Sequence, residues 1–389
     1  MASAPGPFRL ETQLAHAGRA RGRTEGAVNP PVQRATTLLI DAVDDLYGSQ
    51  KKSYALDGMA VQEALREALV TVEGGADAIL APSGLAACTL ALMTVARAGG
   101  EMLVTDSVYG PTRRFCDTAL ARLGVQTRYV DPRIGADIAA LFNDSTCGVF
   151  LESPGSLTFE VQDVPAIAAA AKARGIAVIL DNTWSAGVYF KPFAHGVDLS
   201  VQALTKYQGG HADAFLGAVL ADSAHWANRV SGTYAQLGLN ASPDDAYLIL
   251  RGLRSMAVRL ERQSASALQI ARWLETRPEV ARVIHPALPS HPDHALWKRD
   301  FTGASGVFGV ELVDVSVARL SSMLEGLSLF AMGFSWGGYE SLVVPTRANI
   351  RRTAKPLRDE VQTLRFSIGL EHVEDLIADL EAGFSRLPA

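Results

Sequence analysis

Residues 176–213 read IAVILDNTWSAGVYFKPFAHGVDLSVQALTKYQGGHAD. Two runs in this stretch, IAVILD (176–181) and VDLSVQAL (197–204), have the length and apolar content of buried strands. The first run ends in Asp181, and Lys206 follows the second run beside a glycine pair. Lysine is rarely buried in proteins, whereas glycine permits close approach of the backbone. A lysine after a strand is more often solvated than buried, so Lys206 alone raises the question of a chemical role and does not answer it.

Segments typical of strands and helices alternate before this stretch. The predicted strands are ADAILA (76–81), EMLVT (101–105), VQTRYV (125–130) and CGVFLE (147–152). The predicted helices are GLAACTLALMTVARAG (84–99), PTRRFCDTALARLG (111–124) and DVPAIAAAAKARG (163–175). This alternation predicts βαβ units in a mostly parallel sheet. Several strands are apolar on both faces, which indicates helices on both sides of the sheet.

The pattern changes near residue 240. Residues 240–278 predict one long helix or two, beginning at a Ser-Pro-Asp-Asp cap. Beyond them we predict strands at ARVIH (281–285), GVFGVELVD (306–314), LSLFA (327–331) and TLRFSIG (363–369), and helices near 316–326 and from 372. We therefore divide the chain into an extended N-terminal arm (1–55), a large domain (56–240) and a smaller C-terminal α+β domain (241–389).

Composition excludes several classes of protein. The chain has 389 residues, 48% of them hydrophobic, and a formal net charge of -5. It has no basic stripe interleaved with aromatic residues, which argues against nucleic-acid binding. No apolar run reaches the ~18 residues of a membrane span, and the N-terminus lacks the apolar core of a secretory signal. Three cysteines without CxxC spacing argue against a disulfide or zinc framework and favour a cytoplasmic protein.

The residues that follow the predicted strands carry the chemistry. Ligands of open α/β sheets bind beyond the carboxyl ends of the strands. After the first strand, PSGLAA (82–87) leads into the N-terminus of a predicted helix, which is suited to binding an anion such as phosphate. Tyr109, Asp181 and Lys206 lie at the ends of other predicted strands. Pyridoxal phosphate needs a lysine, an acid for its ring nitrogen, a flat stacking group and an anion site. Each residue alone is weak support, but their joint placement predicts a site for this cofactor.

A histidine cluster offers an alternative chemistry. His285, His291 and His294 lie together in HPALPSHPDH. No helical H-E-x-x-H motif accompanies them, and the prolines are typical of a loop. We therefore expect a surface loop here, with no metal bound.

Seven stretches carry a resemblance to a known family. They begin with APSGLAACTLAL (81–92), TDSVYGPTRRFC (105–116), FLESPGSLTFEVQDVPAIA (150–168) and VILDNTWSAGVYFKPFAHGVDLSVQALTKYQGGHADAFLGAV (178–219). They continue with HPALPSHPDHALWKRDFTGASGVFGVEL (285–312), FSWGGYESLVVP (334–345) and LRFSIGLEHVEDLIADLEAGF (364–384). In order and spacing they resemble the Cys/Met-metabolism family of pyridoxal-phosphate enzymes. The resemblance implies the α/β fold of PLP-dependent transferases of fold type I, with a seven-stranded type of sheet.

The resemblance also implies roles for the residues at the strand ends. Lys206 would hold the cofactor as a Schiff base, and Thr205 would touch its phosphate. Asp181 would pair with the pyridine nitrogen. Tyr109 would stack on the ring and assist proton transfer. Lys206 and Tyr109 would thus be the catalytic residues.

The remaining implied roles concern the phosphate and the substrate. The amides of Gly84 and Leu85 would hold the phosphate. The substrate α-carboxylate would bind Arg365, in a pocket lined by Ser335 and Trp336. From a neighbouring subunit, Tyr54 would reach the phosphate. The assembly implied is at least a dimer and, as is typical of the family, a homotetramer.

Finer motifs resemble the cystathionine β-lyase branch of the family. The chain has SWGGYESL, with Trp336, where the γ-lyases and γ-synthases have leucine, and ESPGS where they have ESPTNP. The implied reaction is α,β-elimination of L-cystathionine to homocysteine, pyruvate and ammonia, in methionine biosynthesis. The alternatives are a lyase for other cysteine conjugates or cystine, a cystathionine γ-lyase or γ-synthase, and a non-catalytic binding or regulatory protein.

Two residues depart from the family pattern. The phosphate-binding Y-x-R motif is here Tyr54-Ala55-Leu56, and the serine three residues before the lysine is Ala203. Loss of a charged hydrogen bond to phosphate costs ~1.5–3 kcal/mol unless another group replaces it. The departures therefore concern the edge of the site, whereas Lys206 and Asp181 match the pattern.

Overall fold

The computed structural model describes residues 8–24, 26–47, 52–313, 315–356 and 361–387. Within these ranges the largest sheet has seven strands: β1 (Asp77–Ala81), β2 (Glu101–Thr105), β3 (Gln126–Val130), β4 (Thr146–Glu152), β5 (Ala177–Asp181), β6 (Leu199–Gln202) and β7 (Gly217–Ala221). Their spatial order is β1-β7-β6-β5-β4-β2-β3. Strand β7 is antiparallel to both neighbours, and the other strand pairs are parallel. The predicted mostly parallel sheet is confirmed.

Helices cover both faces of this sheet. The helices of the first part of the chain are α1 (Leu10–His16), α2 (Arg21–Thr24), α3 (Asp44–Tyr47), α4 (Ala60–Glu73), α5 (Gly84–Val95), α6 (Gly110–Phe115), α7 (Val164–Lys172) and α8 (Ala224–Gln236). Of these, α4 and α7 pack on one face of the sheet, and α5 and α8 on the other. Successive strand residues enter different cores: Val149 packs in the core with α4 and α7, and Phe150 in the core with α5 and α8. Burial on both faces explains why these strands are apolar throughout.

The C-terminal part contains a second sheet. Its strands, in the order β10-β11-β9-β8, are all antiparallel: β8 (Val280–Ile284), β9 (Val307–Leu312), β10 (Leu342–Pro345) and β11 (Gln362–Ser367). Its helices are α9 (Pro243–Leu253), α10 (Met256–Leu274), α11 (His294–Asp300), α12 (Val317–Glu325) and α13 (Val373–Phe384). A separate apolar core packs α10, α12 and α13 against this sheet. The predicted α+β arrangement is thus observed, with two helices in residues 240–278.

One predicted strand was wrong. Residues 327–331 form no strand in the described chain, and Ala331 makes only an isolated bridge to Leu342. The Asp379 carboxylate instead accepts hydrogen bonds from the backbone N–H groups of Ser328, Leu329 and Phe330. These donors are therefore satisfied by a side chain, and they do not pair with a neighbouring strand.

The N-terminal segment is partly structured against its own chain. Leu14 of α1 is buried in the core beside α4 and α10. Arg254 fixes the end of α1 by donating to the backbone oxygens of Leu14 and Ala17. Helix α1 is only seven residues long, which is too short to produce a clear helical periodicity of apolar residues in the sequence. In the described ranges, no helix combines the length and the apolar character needed to cross a membrane.

The fold brings three segments to one edge of the large sheet. Strand β5 ends at Asp181, and β6 ends four residues before Lys206. Helix α5 begins at Gly84, separated from the end of β1 by two residues. A Cβ atom added to Gly84 would lie 2.5 Å from the Cβ of Ala203, so the helix start and the lysine segment are in direct contact. The parallel strands thus deliver their carboxyl ends to one place.

Candidate active site

A cavity of about 840 Å³ opens at this edge of the sheet. Nine of the residues singled out in the sequence line it: Gly84, Leu85, Tyr109, Asp181, Thr205, Lys206, Ser335, Trp336 and Arg365. Tyr54 is not among the described residues that line the cavity, and its side chain is half exposed. The chain therefore brings together every predicted site residue except the one expected to serve a neighbouring subunit.

Lys206 is held in a turn just beyond β6. Its N–H donates to the Ala203 oxygen at 3.0 Å, and its own oxygen accepts from Gly210 N–H at 2.7 Å. The Nζ atom donates to Ser335 Oγ at 2.7 Å and lies 5.2 Å from the centre of the Trp336 ring. Burial and the Arg365 charge lower the pKa of Lys206 to about 8, against the opposing effect of Asp181. Its amine is consequently far more available as a nucleophile and base than that of a surface lysine.

Asp181 is a buried carboxylate with a fixed orientation. Its Oδ1 accepts from Thr183 N at 3.1 Å and from Thr183 Oγ1 at 2.5 Å, and Cys88 Sγ lies 3.5 Å from Oδ2. Thr183 Oγ1 also accepts from the Ala203 N–H at 2.9 Å, which connects Asp181 to the lysine segment. Burial raises the pKa of Asp181, and the hydrogen bonds from Thr183 oppose that shift.

Glu152 is a site residue that the sequence reasoning missed. It ends β4, pairs in register with Asp181 and lines the cavity. Its Oε2 accepts from the backbone N–H of Tyr109 at 2.6 Å, which orients the turn that carries the tyrosine ring. Burial and the neighbouring Asp181 charge raise the pKa of Glu152 well above its usual value. An acid at the end of a predicted strand, as at Asp181, was the signal that could have identified it.

The start of α5 forms an anion site. The Ser83 side chain caps the helix by accepting from Ala86 N–H at 3.1 Å. The N–H groups of the two preceding residues, Gly84 and Leu85, have no partner within a helix. The first turn contains no acidic residue, so the partial positive charge of the helix end is not neutralised. An anion in the cavity would therefore meet free N–H donors and a favourable dipole.

Arg365 brings a guanidinium from strand β11 into the cavity. Its Nη2 donates to the backbone oxygens of Ser335 at 2.7 Å and Gly333 at 3.3 Å, and its buried Nε has no hydrogen-bond partner in the described chain. Burial lowers the pKa of Arg365 to about 10. Ser335 has a φ of 75°, a conformation that costs energy in a residue other than glycine. The strained turn presents its hydroxyl to Lys206 and its carbonyl to Arg365.

A loop from the C-terminal part closes one side of the cavity, which the sequence did not indicate. Residues 348–352 line the cavity. The Asp106 carboxylate accepts from the N–H groups of Thr353 at 2.9 Å and Ala354 at 2.8 Å, and it also pairs with Arg113. Asp106 thus anchors the loop at a point three residues before Tyr109.

The expectation for the histidine cluster needs correction. His285 and His291 are buried, so they do not lie in an exposed loop. Burial lowers the pKa of His285 to about 3 and that of His291 to about 4, which leaves both rings neutral at pH 7. Among the described residues, no group of three or more His, Cys, Asp and Glu side chains is arranged to hold a metal ion.

The donor set of the cavity fits pyridoxal phosphate. The cavity supplies an amine of lowered pKa, a buried acid, an aromatic ring and a helix N-terminus. These are the groups that an aldehyde, a pyridine nitrogen, a flat ring and a phosphate require. The unpartnered Nε of Arg365 adds a donor suited to a carboxylate.

Comparisons with known proteins agree with this geometry. A family model described as Cys/Met metabolism PLP-dependent enzyme matches residues 11–385. The chain is 42% identical to the cystathionine beta-lyase of Escherichia coli strain K12, with 97% of this chain and 99% of that protein covered. It is 35% identical to an L-alanine/L-glutamate racemase of Wolbachia pipientis wMel, with 97% of each chain covered.

A solved structure matches over nearly the full length. The crystal structure of a cystathionine gamma synthase from Xanthomonas oryzae pv. oryzae superposes with a TM-score of 0.91 at 31% sequence identity, covering 98% of this chain and 99% of that one. The fold type expected from the sequence is confirmed, and so is the dependence on pyridoxal phosphate. The chain belongs to the Cys/Met metabolism family of PLP-dependent enzymes.

Proposed function

We propose that the protein is a carbon–sulfur β-lyase that converts L-cystathionine and water into homocysteine, pyruvate and ammonia. The observation that carries the proposal is the environment of Lys206: an amine of lowered pKa in the same cavity as Asp181 and Arg365. Removal of a Cα proton from an amino acid needs such a base beside a group that binds the substrate carboxylate. The relative named cystathionine beta-lyase supports the choice of substrate.

The proposed cofactor contacts follow from the cavity wall. The N–H groups of Gly84 and Leu85, with the hydroxyl of Thr205, would bind the phosphate. Asp181 would face the ring nitrogen and keep it protonated, and the ring of Tyr109 would stack on the pyridine. Bound pyridoxal phosphate supplies an electron sink that stabilises negative charge at the substrate Cα.

The protein groups would bind the substrate and move its protons. Arg365 would bind the α-carboxylate through its guanidinium, and the backbone oxygen of Ser335 fixes that guanidinium. Lys206 Nζ would take the Cα proton. The Cβ–S bond then breaks, and the departing thiolate would receive a proton from Lys206 or from the Tyr109 hydroxyl. Trp336 lies beside the lysine, 5.2 Å from Nζ to the ring centre. The resemblance of its SWGGYESL motif to the β-lyase branch, where γ-lyases and γ-synthases have leucine, supports β-elimination over γ-elimination.

The proposal includes an assembly with shared sites. Tyr54 has 51% of its surface exposed and does not line the cavity of its own chain within the described ranges. We assign it to the phosphate of a neighbouring subunit, in a homotetramer built from two such dimers. The working compartment in this proposal is the cytoplasm, where the three cysteines, all free thiols, would stay reduced.

The test is a substrate panel with identification of the products. Purified protein loaded with pyridoxal phosphate is incubated with L-cystathionine, L-cystine and other cysteine conjugates. The expected products from cystathionine are pyruvate and homocysteine, and Lys206→Ala should form neither. Formation of 2-oxobutyrate and cysteine would identify a γ-lyase. A protein that binds pyridoxal phosphate and converts no substrate would be a binding or regulatory protein, which would overturn the proposal.

A second candidate is amino-acid racemisation, because one full-length relative is named L-alanine/L-glutamate racemase. Both reactions begin with removal of the Cα proton, but a racemase returns a proton to the opposite face and breaks no C–S bond. Incubation with L-alanine and L-glutamate, followed by chiral chromatography, distinguishes them. A D-enantiomer formed faster than pyruvate from cystathionine would favour the racemase.

A further inference from the structure

A buried acid outside the cavity connects the segments that carry Asp181 and Lys206. Glu73 is the last residue of α4 and is only 5% exposed. It does not line the cavity within the described chain, and no step of the proposed reaction uses it. Burying a carboxylate is costly unless hydrogen bonds or charges compensate for it. The groups that compensate for the burial of the Glu73 carboxylate therefore indicate what this residue holds in place.

Three side chains compensate for this burial. Asn182 Nδ2 donates to Glu73 Oε1 at 2.7 Å, and Gln202 Nε2 donates to Oε2 at 2.8 Å. The Ser200 hydroxyl also donates to Oε1. Lys191, which donates to the Gly187 oxygen at 2.8 Å, adds a nearby positive charge. Burial raises the pKa of Glu73, while these donors and Lys191 oppose that shift.

The three donors belong to two segments of the site. Asn182 directly follows Asp181, and its N–H donates to the Val201 oxygen at 2.9 Å. Gln202 ends β6, four residues before Lys206. A second glutamine, Gln208, lies two residues beyond Lys206 and donates to Gln202 Oε1 at 3.0 Å. A continuous set of hydrogen bonds thus runs from the acid segment through Glu73 to both sides of the lysine turn.

We propose that Glu73 is a positioning residue that fixes the separation between Asp181 and Lys206. The inference rests on the proposed function, in which these two residues contact the cofactor. Strand pairing between β5 and β6 ends at Asp181 and Val201, so it does not reach the lysine turn. Beyond that point Thr183 Oγ1 links Asp181 to the Ala203 N–H, and Gln202 Nε2 donates to the Asn182 backbone oxygen at 3.2 Å. Glu73 adds a buried carboxylate that holds the Asn182 and Gln202 side chains together.

A carboxylate suits this position better than an amide. Both oxygens of a carboxylate accept, so it can receive Asn182 on one oxygen and Gln202 on the other. In Glu73→Gln the amide nitrogen replaces one of the two acceptors, so it would face either the Asn182 donor or the Gln202 donor, and one contact would be lost. The backbone also leaves little room for a shifted side chain, because a Cβ on Gly187 would lie 2.8 Å from Glu73 Oε2.

The experiment compares Glu73→Gln and Glu73→Ala with wild type and with a matched control. The control is Asp379→Asn, which alters a carboxylate that holds three backbone N–H groups; neither Asp379 nor these residues line the cavity. Each protein, loaded with pyridoxal phosphate, is measured for its melting temperature, for the pH midpoint of the visible cofactor band, and for kcat and KM. The pH midpoint reports the surroundings of Lys206, which a purely structural role would leave unchanged.

The expected effect on the active site increases from Glu73→Gln to Glu73→Ala. Glu73→Gln should lower kcat about tenfold and shift the pH midpoint of the cofactor band. Glu73→Ala should have a larger effect on both quantities. In both variants KM should change less than kcat. Asp379→Asn should lower the melting temperature and leave the band and kcat unchanged. If Glu73→Ala does not fold, Gln202→Met breaks the same connection and should also move the midpoint.

Two outcomes separate the possible failures. If the Glu73 variants lose melting temperature but keep the wild-type band and kcat, the positioning role is wrong. If wild type itself shows no cofactor band and forms no pyruvate, the proposed function fails instead.

Discussion

Gly84 and Ala203 are in contact where the start of α5 meets the segment before Lys206. A Cβ on Gly84 would lie 2.5 Å from the Cβ of Ala203 and 3.1 Å from its Cα. The first turn of α5 can approach the segment before Lys206 only because residue 84 has no side chain. The anion site and the amine are thereby held at a fixed distance.

This contact predicts the effect of a single methyl group. Gly84→Ala should destabilise the protein by ~1–3 kcal/mol, the usual cost of overpacking, and should weaken cofactor binding. Combining it with Ala203→Gly removes the opposing Cβ and should recover part of both losses. Urea unfolding and cofactor titration provide the measurements. If the double variant is as impaired as Gly84→Ala alone, the clash is not the cause.

The lowered pKa of Lys206 predicts how capture of the cofactor depends on pH. Only the neutral amine reacts with an aldehyde, so the rate should rise with pH through about 8, whereas an ordinary lysine titrates near ~10.4. Stopped-flow absorbance after adding pyridoxal phosphate to cofactor-free protein measures this rate. Arg365→Met removes one of the two causes of the shift, so its midpoint should lie higher. A midpoint near that of a free lysine in both proteins would contradict the described environment.

Arg365 should determine substrate affinity more than cofactor affinity. Arg365→Lys keeps the positive charge but loses the planar pair of donors, so KM for cystathionine should rise about 10- to 100-fold. Steady-state kinetics and cofactor titration distinguish the two effects. Equal losses of cofactor and substrate affinity would mean that the arginine supports the whole cavity.

Asp106 should contribute strongly to stability because it is fully buried and paired with Arg113. Asp106→Asn leaves a buried arginine unpaired, and we expect a loss of ~3–5 kcal/mol in the free energy of unfolding. Burial alone would raise the pKa of Asp106, but the hydrogen bonds that its carboxylate accepts outweigh this effect and lower the pKa. The stabilising effect of the ionised carboxylate is therefore complete near neutral pH. It is lost as the pH falls below the ordinary Asp pKa near ~4.

A surface pair provides the control for Asp106. Glu311→Gln breaks the pair with Arg282, whose side chain is 47% exposed. Exposed pairs contribute only ~0–1 kcal/mol, so its unfolding midpoint should barely change. Similar losses in the two variants would show that burial does not set the strength of the Asp106 contact.

The proposed sharing of sites between subunits predicts that two inactive variants complement each other. Tyr54→Ala and Lys206→Ala should each be nearly inactive as homo-oligomers. Unfolding and refolding them together in equal amounts should restore about a quarter of wild-type activity, because half of the dimers then carry one intact site. Mixing without subunit exchange is the control. No recovery, despite mixed oligomers detected by mass spectrometry, would place Tyr54 outside the site.

The sequence predicted the alternating elements well because they are long and strongly apolar. Strands β2 and β4 and helices α9 and α10 were found within a few residues of their bounds. Strand β7 was missed because the short run GAVLA follows a glycine-rich loop without a strong period. The false strand at 327–331 has a strand-like composition, but its donors bond to Asp379, a partner distant in sequence.

The candidate site was predictable where residues directly follow a strand. Asp181 and Lys206 could be recognised from the sequence because each lies at or just beyond the end of a predicted strand. Glu152 carried the same signal as Asp181, an acid at the end of a predicted strand, and was overlooked. Asp106 was overlooked because the loop that it holds lies about 250 residues away. Glu73 has no local signal at all, since its role depends on which strands the fold places beside the end of α4.

The cavity wall has a further consequence for the evolution of the protein. The groups proposed to hold the cofactor come from the seven-stranded sheet, whereas Arg365 and the loop at 348–352 come from the four-stranded sheet and its connections. If these proposed roles hold, catalytic residues and substrate-binding residues are encoded in different parts of the gene. Exchange of residues 334–365 between homologous enzymes would then change which amino acid is bound. The residues proposed to hold the cofactor and transfer protons would stay the same.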